Sequence, residues 1–332
     1  MTLGILALFV LMAYGQEKKF ALYSVAFYNM ENLFDTIHDE GKNDYEYLPN
    51  GTNQWNTMKY KAKLKNMSEI LSMLSTDKLP MGPAIIGVSE IENYRVLEDI
   101  LKQPALADRG YQYVHYEGED QRGVDCAFFY NPKLFELTNS KLVPYVYIND
   151  TVHKTRGFLI ASGNIAGEKM HFIVNHWPSR AAASPARERA GEQVRAIKDS
   201  LLREDSAAKI VIMGDMNDDP MDKSMAVALG AKRKPVDAGP TDLYNPWWDT
   251  LKKGYGTLMY KGKWNLFDQI VFTGNLLGTD RSTLKFYKHE IFSRDFMFQK
   301  EGKYKGYPKR TQAGGVWLNG YSDHLPTIIY LI

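Results

Sequence analysis

The apolar residues of this chain are concentrated in short runs that are typical of buried β-strands. Seven such runs, each five to eight residues long, are rich in Val, Ile and Phe. Runs of this length and composition predict strands that are buried over most of their surface. They cover residues 24–28, 84–89, 124–130, 158–165, 170–175, 209–213 and 268–273.

Two other segments repeat apolar residues at the spacing of three and four that indicates a helix. The first contains Leu64, Met67, Leu71 and Leu74, and the second contains Ala190, Val194, Ile197 and Leu201. Each helix would place one apolar stripe on a sheet. Many strands with few long helices predict an α/β protein in which sheets pack together and helices cover the outside. Residues 230–263, rich in Gly, Pro and aromatic residues, are predicted to form long surface loops.

The N-terminus has the layout of a secretory signal peptide. An apolar run at residues 3–12 is followed by the small residues Ala13 and Gly15 and then by Gln16. The run is too short to cross a bilayer as a helix, and the small residues fit a cleavage site. Removal of residues 1–15 would make the protein secreted or periplasmic, with no stable membrane anchor after cleavage. The alternative is that this run forms an apolar first strand of the domain.

Composition and charge limit the class of protein without identifying a partner. Lys and Arg number 41 against 39 Asp and Glu, so net charge does not indicate a polyanionic ligand. The single cysteine, Cys126, cannot form an internal disulfide, so the core must stabilise the fold. No repeat or linker divides the mature chain, and we expect residues 16–332 to form a single domain.

Short polar clusters follow several of the predicted strands. Six of them stand out: residues 28–32, 89–93, 175–177, 214–218, 267–269 and 322–324. Any one cluster has a simple explanation, because Asn, Asp and Gly after a strand usually form a turn. Six together indicate instead that a rigid scaffold presents reactive groups at the ends of its strands.

Carboxylates, amides and histidines in these clusters suit the hydrolysis of a phosphate ester. The substrate oxygens are negative, so the site must neutralise charge as well as position water. Oxygen ligands such as Glu90 and Asn29 suit magnesium, or alternatively manganese. A zinc site fits poorly, because the chain has neither a His-Glu-x-x-His pair nor a cysteine cluster.

The clusters together resemble the endonuclease/exonuclease/phosphatase superfamily. Its members include deoxyribonucleases, repair exonucleases, sphingomyelinases and inositol-polyphosphate phosphatases. The most specific motifs are Gly-Asp-x-Asn at residues 214–217 and Ser-Asp-His-x-Pro at residues 322–326, in that order. The resemblance spans nearly all of the mature chain. It implies the deoxyribonuclease-I-like fold of a secreted, bacterial-type member, a four-layer α/β/β/α sandwich with two mixed sheets face to face and helices outside.

The resemblance also implies which residues bind the metal and the substrate phosphate. Glu90 would be the main ligand of Mg²⁺ or Mn²⁺, with Asn29 beside it contributing to metal and phosphate binding. Asp323 would lie close to the metal and help to hold the site. Arg156 matches an arginine that reaches the phosphate in some family members, although it could equally be a surface charge beside a strand.

Five catalytic residues follow from the same resemblance. Asp215 would orient or deprotonate the attacking water, with Asn217 assisting through a hydrogen bond. His324, as an imidazolium, would stabilise charge on the phosphoryl oxygens, and Asp268 would orient its ring. His176 would supply a further phosphate contact or an acid.

Two glutamates and five histidines have less certain roles. Glu31 and Glu92 each lie two residues beyond a key position, so each could share a face with Asn29 or Glu90 or could be a solvated turn residue. A structural role is expected for the remaining histidines, which are His38, His115, His153, His171 and His289.

Residues 296–310 interleave aromatic residues with Lys and Arg, a mixture that could bind a nucleic-acid strand. The same segment could be a solvated loop. A secreted nuclease acting on DNA or RNA is the leading hypothesis. The alternatives are a phosphatase, a phospholipid-headgroup phosphodiesterase whose membrane contact would be residues 245–248, and a binding module that has lost catalysis. The sequence indicates no protein partner.

Overall fold

The secondary structure comes from a computed structural model that describes residues 21–148, 150 and 152–332, and the predicted signal peptide at residues 1–15 lies outside these. The strands are β1 (Tyr23–Leu33), β2 (Ile85–Ile91), β3 (Gln112–His115), β4 (Asp125–Tyr130), β5 (Glu136–Val143), β6 (Phe158–Ile165), β7 (Glu168–His176), β8 (Lys209–Asp215), β9 (Leu243–Tyr244), β10 (Leu258–Tyr260), β11 (Lys263–Asn265), β12 (Asp268–Thr273), β13 (Phe286–Ile291), β14 (Gln312–Ala313), β15 (Val316–Trp317) and β16 (Thr327–Leu331). The α-helices are α1 (Thr57–Met73), α2 (Tyr94–Leu101), α3 (Ser184–Glu204) and α4 (Trp248–Lys252).

Most strands belong to two six-stranded sheets. Sheet I has the order β13-β16-β1-β2-β4-β3, and sheet II has the order β5-β6-β7-β8-β12-β9. Each sheet contains one parallel pair, β1 with β2 and β7 with β8, while its other neighbours are antiparallel. Both sheets are therefore mixed, as the family resemblance implied.

Alternation along the strands separates the core into layers. In β1, Val25 and Phe27 pack between the two sheets, whereas Ala26 and Tyr28 face the cluster that contains the α1 side chains. A third cluster lies between sheet II and α3. Successive side chains of a strand point to opposite faces, so a strand buried on both sides must be apolar throughout. The result is the predicted four-layer α/β/β/α sandwich.

Both predicted long helices are present. The side chain of Asn56 accepts a hydrogen bond from the Lys59 N–H and caps the start of α1. The apolar stripe of α1 includes Leu64 and Met67, which are buried against sheet I. In the described residues, none of the helices is long and apolar enough to span a bilayer.

The prediction that residues 230–263 form surface loops is wrong in part. Strand β9, helix α4 and strand β10 lie within this segment. Trp247 is fully buried, and its indole N–H donates to the carbonyl of Ile270 at 2.9 Å. Gly and Pro made the segment look irregular, but burial of a large ring outweighed those local signals.

Two glycines lie where there is no room for a side chain, Gly214 against the neighbouring strand of its own sheet and Gly87 against the facing sheet. A Cβ atom on Gly214 of β8 would lie 2.3 Å from the backbone oxygen of Asn175, whereas one on Gly87 of β2 would lie 2.5 Å from Met213 Sδ. Overpacking costs roughly 1–3 kcal/mol, and a flexible side chain can move aside more easily than a strand backbone. We therefore expect Gly214→Ala to fall near the top of that range and Gly87→Ala near the bottom. Urea unfolding curves measure both, and equal losses would contradict this account.

Candidate active site

Sheet topology brings the predicted site residues to one edge of the sandwich. Asn29 and Glu90 lie towards the C-terminal ends of the parallel pair β1 and β2, and His176 and Asp215 end the parallel pair β7 and β8. Asp268 begins the antiparallel strand β12 directly opposite Asp215. Residues of the two sheets meet at this edge, and all of these side chains belong to one cluster of contacts.

The Ser-Asp-His segment is attached to the same edge through β1. Ser322 Oγ donates to the Asn29 carbonyl at 2.8 Å and accepts from the His324 N–H at 3.1 Å. This placement follows from register, since Phe27 pairs with Thr327 at the start of β16. The motif residues are therefore positioned by backbone pairing rather than by a mobile loop.

Several site residues have a left-handed backbone conformation that side chains rarely adopt. Glu90 has a φ of 58°, Asn217 of 52°, Glu31 of 45° and Asn32 of 53°. Such conformations are unfavourable for residues other than glycine and tend to occur at functional sites. The strand register shifts between Asn29 and Leu33 in β1 and between Ser89 and Ile91 in β2, the stretches that contain Glu31, Asn32 and Glu90.

Asn29 holds the two central carboxylates together. Its amide Nδ2 donates to Glu90 Oε1 at 3.1 Å and to Asp215 Oδ2 at 2.9 Å, while its Oδ1 accepts from the Glu31 N–H. The second oxygen of Glu90 accepts from the Asn32 N–H at 3.0 Å. These contacts use Asn29 as a donor towards the carboxylates, and its assignment as a metal ligand stays a prediction.

Asp215 is a buried carboxylate whose orientation is determined by hydrogen bonds. Its Oδ1 accepts from the Asn217 N–H at 2.9 Å, and the Asn217 side chain donates to the Trp177 carbonyl at 3.0 Å. Burial raises the pKa of Asp215 to about 7, and the nearby carboxylates of Asp268 and Glu90 add to the effect. A carboxylate with this pKa is suited to accept a proton near neutral pH.

His324 forms an imidazole–carboxylate pair with Asp268. Its Nδ1 lies 2.7 Å from Asp268 Oδ2, and its Nε2 lies 3.9 Å from Asp215 Oδ2. Burial by itself would lower the pKa of His324, but the charges of Asp268 and Asp215 raise that pKa well above its usual value. The ring is therefore an imidazolium at neutral pH, and its predicted role in stabilising negative charge stays a prediction.

His176 also lies near Asp215 Oδ2, but in the opposite protonation state. Its Nε2 is 3.6 Å from Glu90 Oε1 and 3.7 Å from Asp215 Oδ2. Burial first, and then the positive charge of Arg156, hold the pKa of His176 well below its usual value. A neutral imidazole cannot compensate the charge of the carboxylate pair.

Arg156 binds the backbone that carries His176 rather than the catalytic cluster itself. Its guanidinium donates to the carbonyls of His176 at 3.2 Å and Trp177 at 2.8 Å and to Asp120 at 3.1 Å. With these partners the side chain is only 8% exposed, so it does not form the surface charge that was the alternative. Its role in phosphate binding stays a prediction.

The sequence left the role of Glu31 open, included Arg310 only as a cation of the segment 296–310, and gave no signal for Lys63. Glu31 is only 4% exposed and accepts from Arg310 Nε and the Thr311 N–H, both at 2.7 Å. Arg310 also contacts Asp323 at 3.0 Å, and Lys63, fully buried, donates to the Tyr321 carbonyl. The position of Glu31 after Asn29 was a usable signal, whereas nothing local distinguishes Lys63 from a surface lysine.

Glu92 is also buried rather than a solvated turn residue. Its Oε2 accepts from the Asp35 N–H at 2.7 Å, and it is 3% exposed. Burial, with the nearby charge of Asp35, raises the pKa of Glu92 to about 9. The remaining alternative, a shared face with Glu90, is not supported by any contact between the two side chains in the described residues. We assign Glu92 a structural role.

The residues present fit a divalent metal. Carboxylate oxygens of Glu90 and Asp215 and one nitrogen of His176 lie within 4.8 Å of one another. The two carboxylates share the neutral amide of Asn29, and of their two histidine contacts only the distant His324 is charged. The buried carboxylate of Asp215 and the partly buried carboxylate of Glu90 together form a hard oxygen site of the kind that Mg²⁺ or Mn²⁺ prefers.

Comparison with known proteins agrees with this geometry. A profile of the Endonuclease/Exonuclease/phosphatase family matches residues 24–332. The chain belongs to the endonuclease/exonuclease/phosphatase family. Its members are divalent-metal-dependent enzymes that hydrolyse phosphate esters, so this protein is a hydrolase acting on phosphate ester bonds. The resemblance inferred from the motifs is thereby confirmed. A comparison with curated proteins found no match.

Solved structures show the same fold at low sequence identity. A mannosyl-6-phosphatase from Bacteroides thetaiotaomicron is 15% identical, with a TM-score of 0.57 over 93% of this chain and 99% of that one. D. rerio TDP2 complexed with single-strand DNA product is 14% identical, with a TM-score of 0.54 over 94% and 99%. The human Nocturnin catalytic domain is 15% identical, with a TM-score of 0.54 over 94% of each chain. At these identities the likeness establishes the fold alone.

The pair of His324 and Asp268 gives a pH-dependent prediction. In Asp268→Asn the side-chain shape is kept but one of the charges that raise the pKa of His324 is lost, so the imidazolium deprotonates at a lower pH. If the imidazolium is needed for hydrolysis, the alkaline fall in kcat should move to lower pH. Activity at pH 8 should drop by on the order of 10² or more. The measurement is a pH profile of kcat with a chromogenic phosphodiester.

The matched control for this experiment is thermal unfolding of both proteins at pH 6. If the variant unfolds like the wild type and its kcat falls at the same alkaline pH as that of the wild type, the assigned role of the pair is contradicted.

Proposed function

We propose that the protein is a secreted, metal-dependent phosphodiesterase that cleaves nucleic acid. The observation that carries the proposal is a cavity of about 800 Å³ that borders the catalytic edge at Asp323 and Arg310. Ligand cavities of this size bury most of a small molecule or of a segment of polymer. Because the cavity adjoins the catalytic cluster, a phosphate bound there can belong to a substrate that also fills the cavity.

The chemistry of the cavity wall favours a nucleotide strand. Its walls include Tyr260 from the β10–β11 hairpin and Tyr304 and Tyr307 from the predicted aromatic and basic segment. Lys261 lies 5.2 Å from the ring of Tyr260, and Lys303 lies 5.4 Å from the ring of Tyr304. Aromatic rings stack on bases and the neighbouring ammonium groups attract phosphates, a combination typical of single-strand binding.

The residues at the edge divide the hydrolysis between them. Asp215, oriented by Asn29 and Asn217, accepts a proton from the attacking water. The imidazolium of His324, oriented by Asp268, stabilises charge on the phosphoryl oxygens. A bound divalent cation would supply charge neutralisation at Glu90. The His324 ring and the Asp215 carboxylate are both buried, and the exclusion of water strengthens their electrostatic interactions.

The structure does not support the membrane contact that the alternative function, a phospholipid-headgroup phosphodiesterase, would require. Residues 245–248 were the only stretch that hinted at one, yet Asn245, Pro246 and Trp247 are buried. Asn245 donates to Gln269 at 2.7 Å in the interior. This stretch therefore anchors α4 to sheet II.

A substrate panel tests the proposal. With Mg²⁺ or Mn²⁺, the purified protein should cut single-stranded DNA or RNA, and chelator should abolish cleavage. His324→Ala should lower turnover by on the order of 10³ with little change in thermal stability. Inositol phosphates, sphingomyelin and mannose 6-phosphate complete the panel. Cleavage of one of these, with none of nucleic acid, would overturn the nuclease assignment while leaving the hydrolase intact.

A pair of tyrosine variants tests the role of the cavity. Tyr304 is 53% exposed and Tyr287, on the edge strand β13, is 54% exposed; each has a lysine near its ring. Loss of one stacking ring costs about 1–3 kcal/mol. Tyr304→Ala should therefore raise KM for a single-stranded oligonucleotide roughly tenfold, whereas Tyr287→Ala should not. With an abasic strand as substrate, neither variant should change KM. Equal effects of the two variants on KM for the normal strand would contradict base stacking in the cavity.

Secretion is a separate part of the proposal, supported by the sequence of residues 1–15. Expression of the full chain in a host with a general secretory pathway should release a protein whose N-terminus is Gln16. Mass spectrometry of the exported protein measures this. Retention of Met1 on protein that stays in the cytoplasm would contradict it.

A further inference from the structure

A second large cavity lies beside α3, away from the catalytic edge. Its volume is about 710 Å³, and it lies between the second half of α3 and the facing residues 226–232 and 241–243. Near the start of α3, Arg187 Nε contacts Asp218 at 2.8 Å, close to the catalytic edge. Arg195, the first residue of α3 in the cavity lining, comes about 12 Å further along the helix axis. We call this space the α3 cavity.

Three exposed cations line the α3 cavity without a partner among the described residues. The side chains of Arg195, Arg203 and Lys232 make no hydrogen bond or ion pair with another described residue. Arg195 and Arg203 are eight residues apart, so they lie on the same face of the helix. By contrast, Arg189 of the same helix forms an ion pair with Glu192. The α3 cavity therefore has positive charge that the protein itself does not compensate.

The acidic residues in the lining already have partners. Asp199 pairs with Lys198 Nζ at 2.7 Å, and Asp242 accepts from the Gly239 N–H at 3.0 Å. Lys198 also donates to the Thr241 carbonyl at 3.1 Å, a bond that joins α3 to the facing wall. The lining contains four basic and two acidic residues, which leaves a net charge of +2. An anion is the ligand that this charge favours.

The walls of the α3 cavity are closely packed and partly apolar. A Cβ atom on Gly191 would lie 2.5 Å from the backbone oxygen of Ser224, so α3 packs tightly against a π-helical turn at Ser224–Leu229. Turns of this kind are rare and are frequently found at functional sites. Within the lining, Val227 is 68% exposed. The apolar residues of the lining are Leu202, Val227, Leu229 and Leu243.

The combination of guanidinium groups and apolar side chains selects a class of ligand. A guanidinium matches a phosphate group through two parallel hydrogen bonds, and two arginines on one helix face can contact two such groups. The apolar side chains can contact a ring system, and the volume is that of a small-molecule site. The lining shares no residue with the aromatic cavity at Asp323, so a strand bound there would not follow a continuous cavity to this one.

We propose that the α3 cavity binds a small molecule in which two phosphate groups are joined to an apolar ring system, as in a nucleoside diphosphate. Arg195 and Arg203 bind the phosphates from α3, and Lys232 adds a positive charge from the facing wall. This site is separate from the catalytic edge, and it does not depend on which phosphate ester the enzyme hydrolyses.

Isothermal titration with adenosine diphosphate (ADP) tests the proposal on chelator-treated protein, in which metal-dependent hydrolysis is prevented. The double variant Arg195→Ala/Arg203→Ala should lower the affinity for ADP roughly tenfold or more, because charge-assisted hydrogen bonds are lost. The matched control Lys61→Ala/Lys65→Ala also removes two exposed cations from a helix, α1, and should leave the affinity unchanged. Both double variants should hydrolyse a chromogenic phosphodiester at the wild-type rate when metal is restored.

The loss of affinity should persist when the titrations are repeated in a Tyr304→Ala background, which removes a ring from the aromatic cavity and leaves the α3 cavity intact. Adenosine, which has no phosphate group, should not bind at the α3 cavity. Absence of ADP binding, equal affinities of the two double variants, or adenosine binding as tight as that of ADP would overturn the proposal. If ADP does not bind and only a single-stranded oligonucleotide loses affinity in Arg195→Ala/Arg203→Ala, the cavity binds a strand and the proposal is wrong.

Discussion

Repulsion among the carboxylates at the catalytic edge is the constraint on which the rest of this structure depends. Glu90, Asp215 and Asp268 meet at one edge of the sandwich, where charges are poorly solvated and unpaired carboxylates are strongly unfavourable. The amide of Asn29 and the imidazolium of His324 compensate part of this charge. The remainder raises the pKa of Asp215, after the larger effect of burial itself, and favours a divalent cation.

The sandwich makes that arrangement possible because its sheets are mixed. The parallel pairs β1–β2 and β7–β8 end at the same edge, and the antiparallel strands β12 and β16 begin there. Strand ends are rigid, so charged groups can be held against their mutual repulsion without relying on a flexible loop. The left-handed backbone at Glu90 and Asn217 is the local cost of turning the chain at these points.

Substrate choice depends on surfaces beyond this shared centre. Family membership accounts for phosphate-ester hydrolysis, but solved relatives with the same fold are as different as a mannosyl-6-phosphatase and a DNA-bound TDP2. In this chain residues 309–322, which include β14 and β15, place Arg310 beside an aromatic cavity. The same segment is anchored by Glu31 and Lys63, so it links the catalytic edge to the aromatic cavity.

The sequence by itself determined the buried strands, the two long helices and the polar motifs that follow the strands, because each is a local pattern of residue type and spacing. It could not reveal polar edge strands such as β5, the burial of Trp247, or the bond from Lys63 to Tyr321, whose partners are 258 residues apart. Only the tertiary structure decided these, because burial and ion pairing depend on which distant residues meet. The same reason explains why Asp323 could be recognised from its motif while its pairing with Arg310 could not.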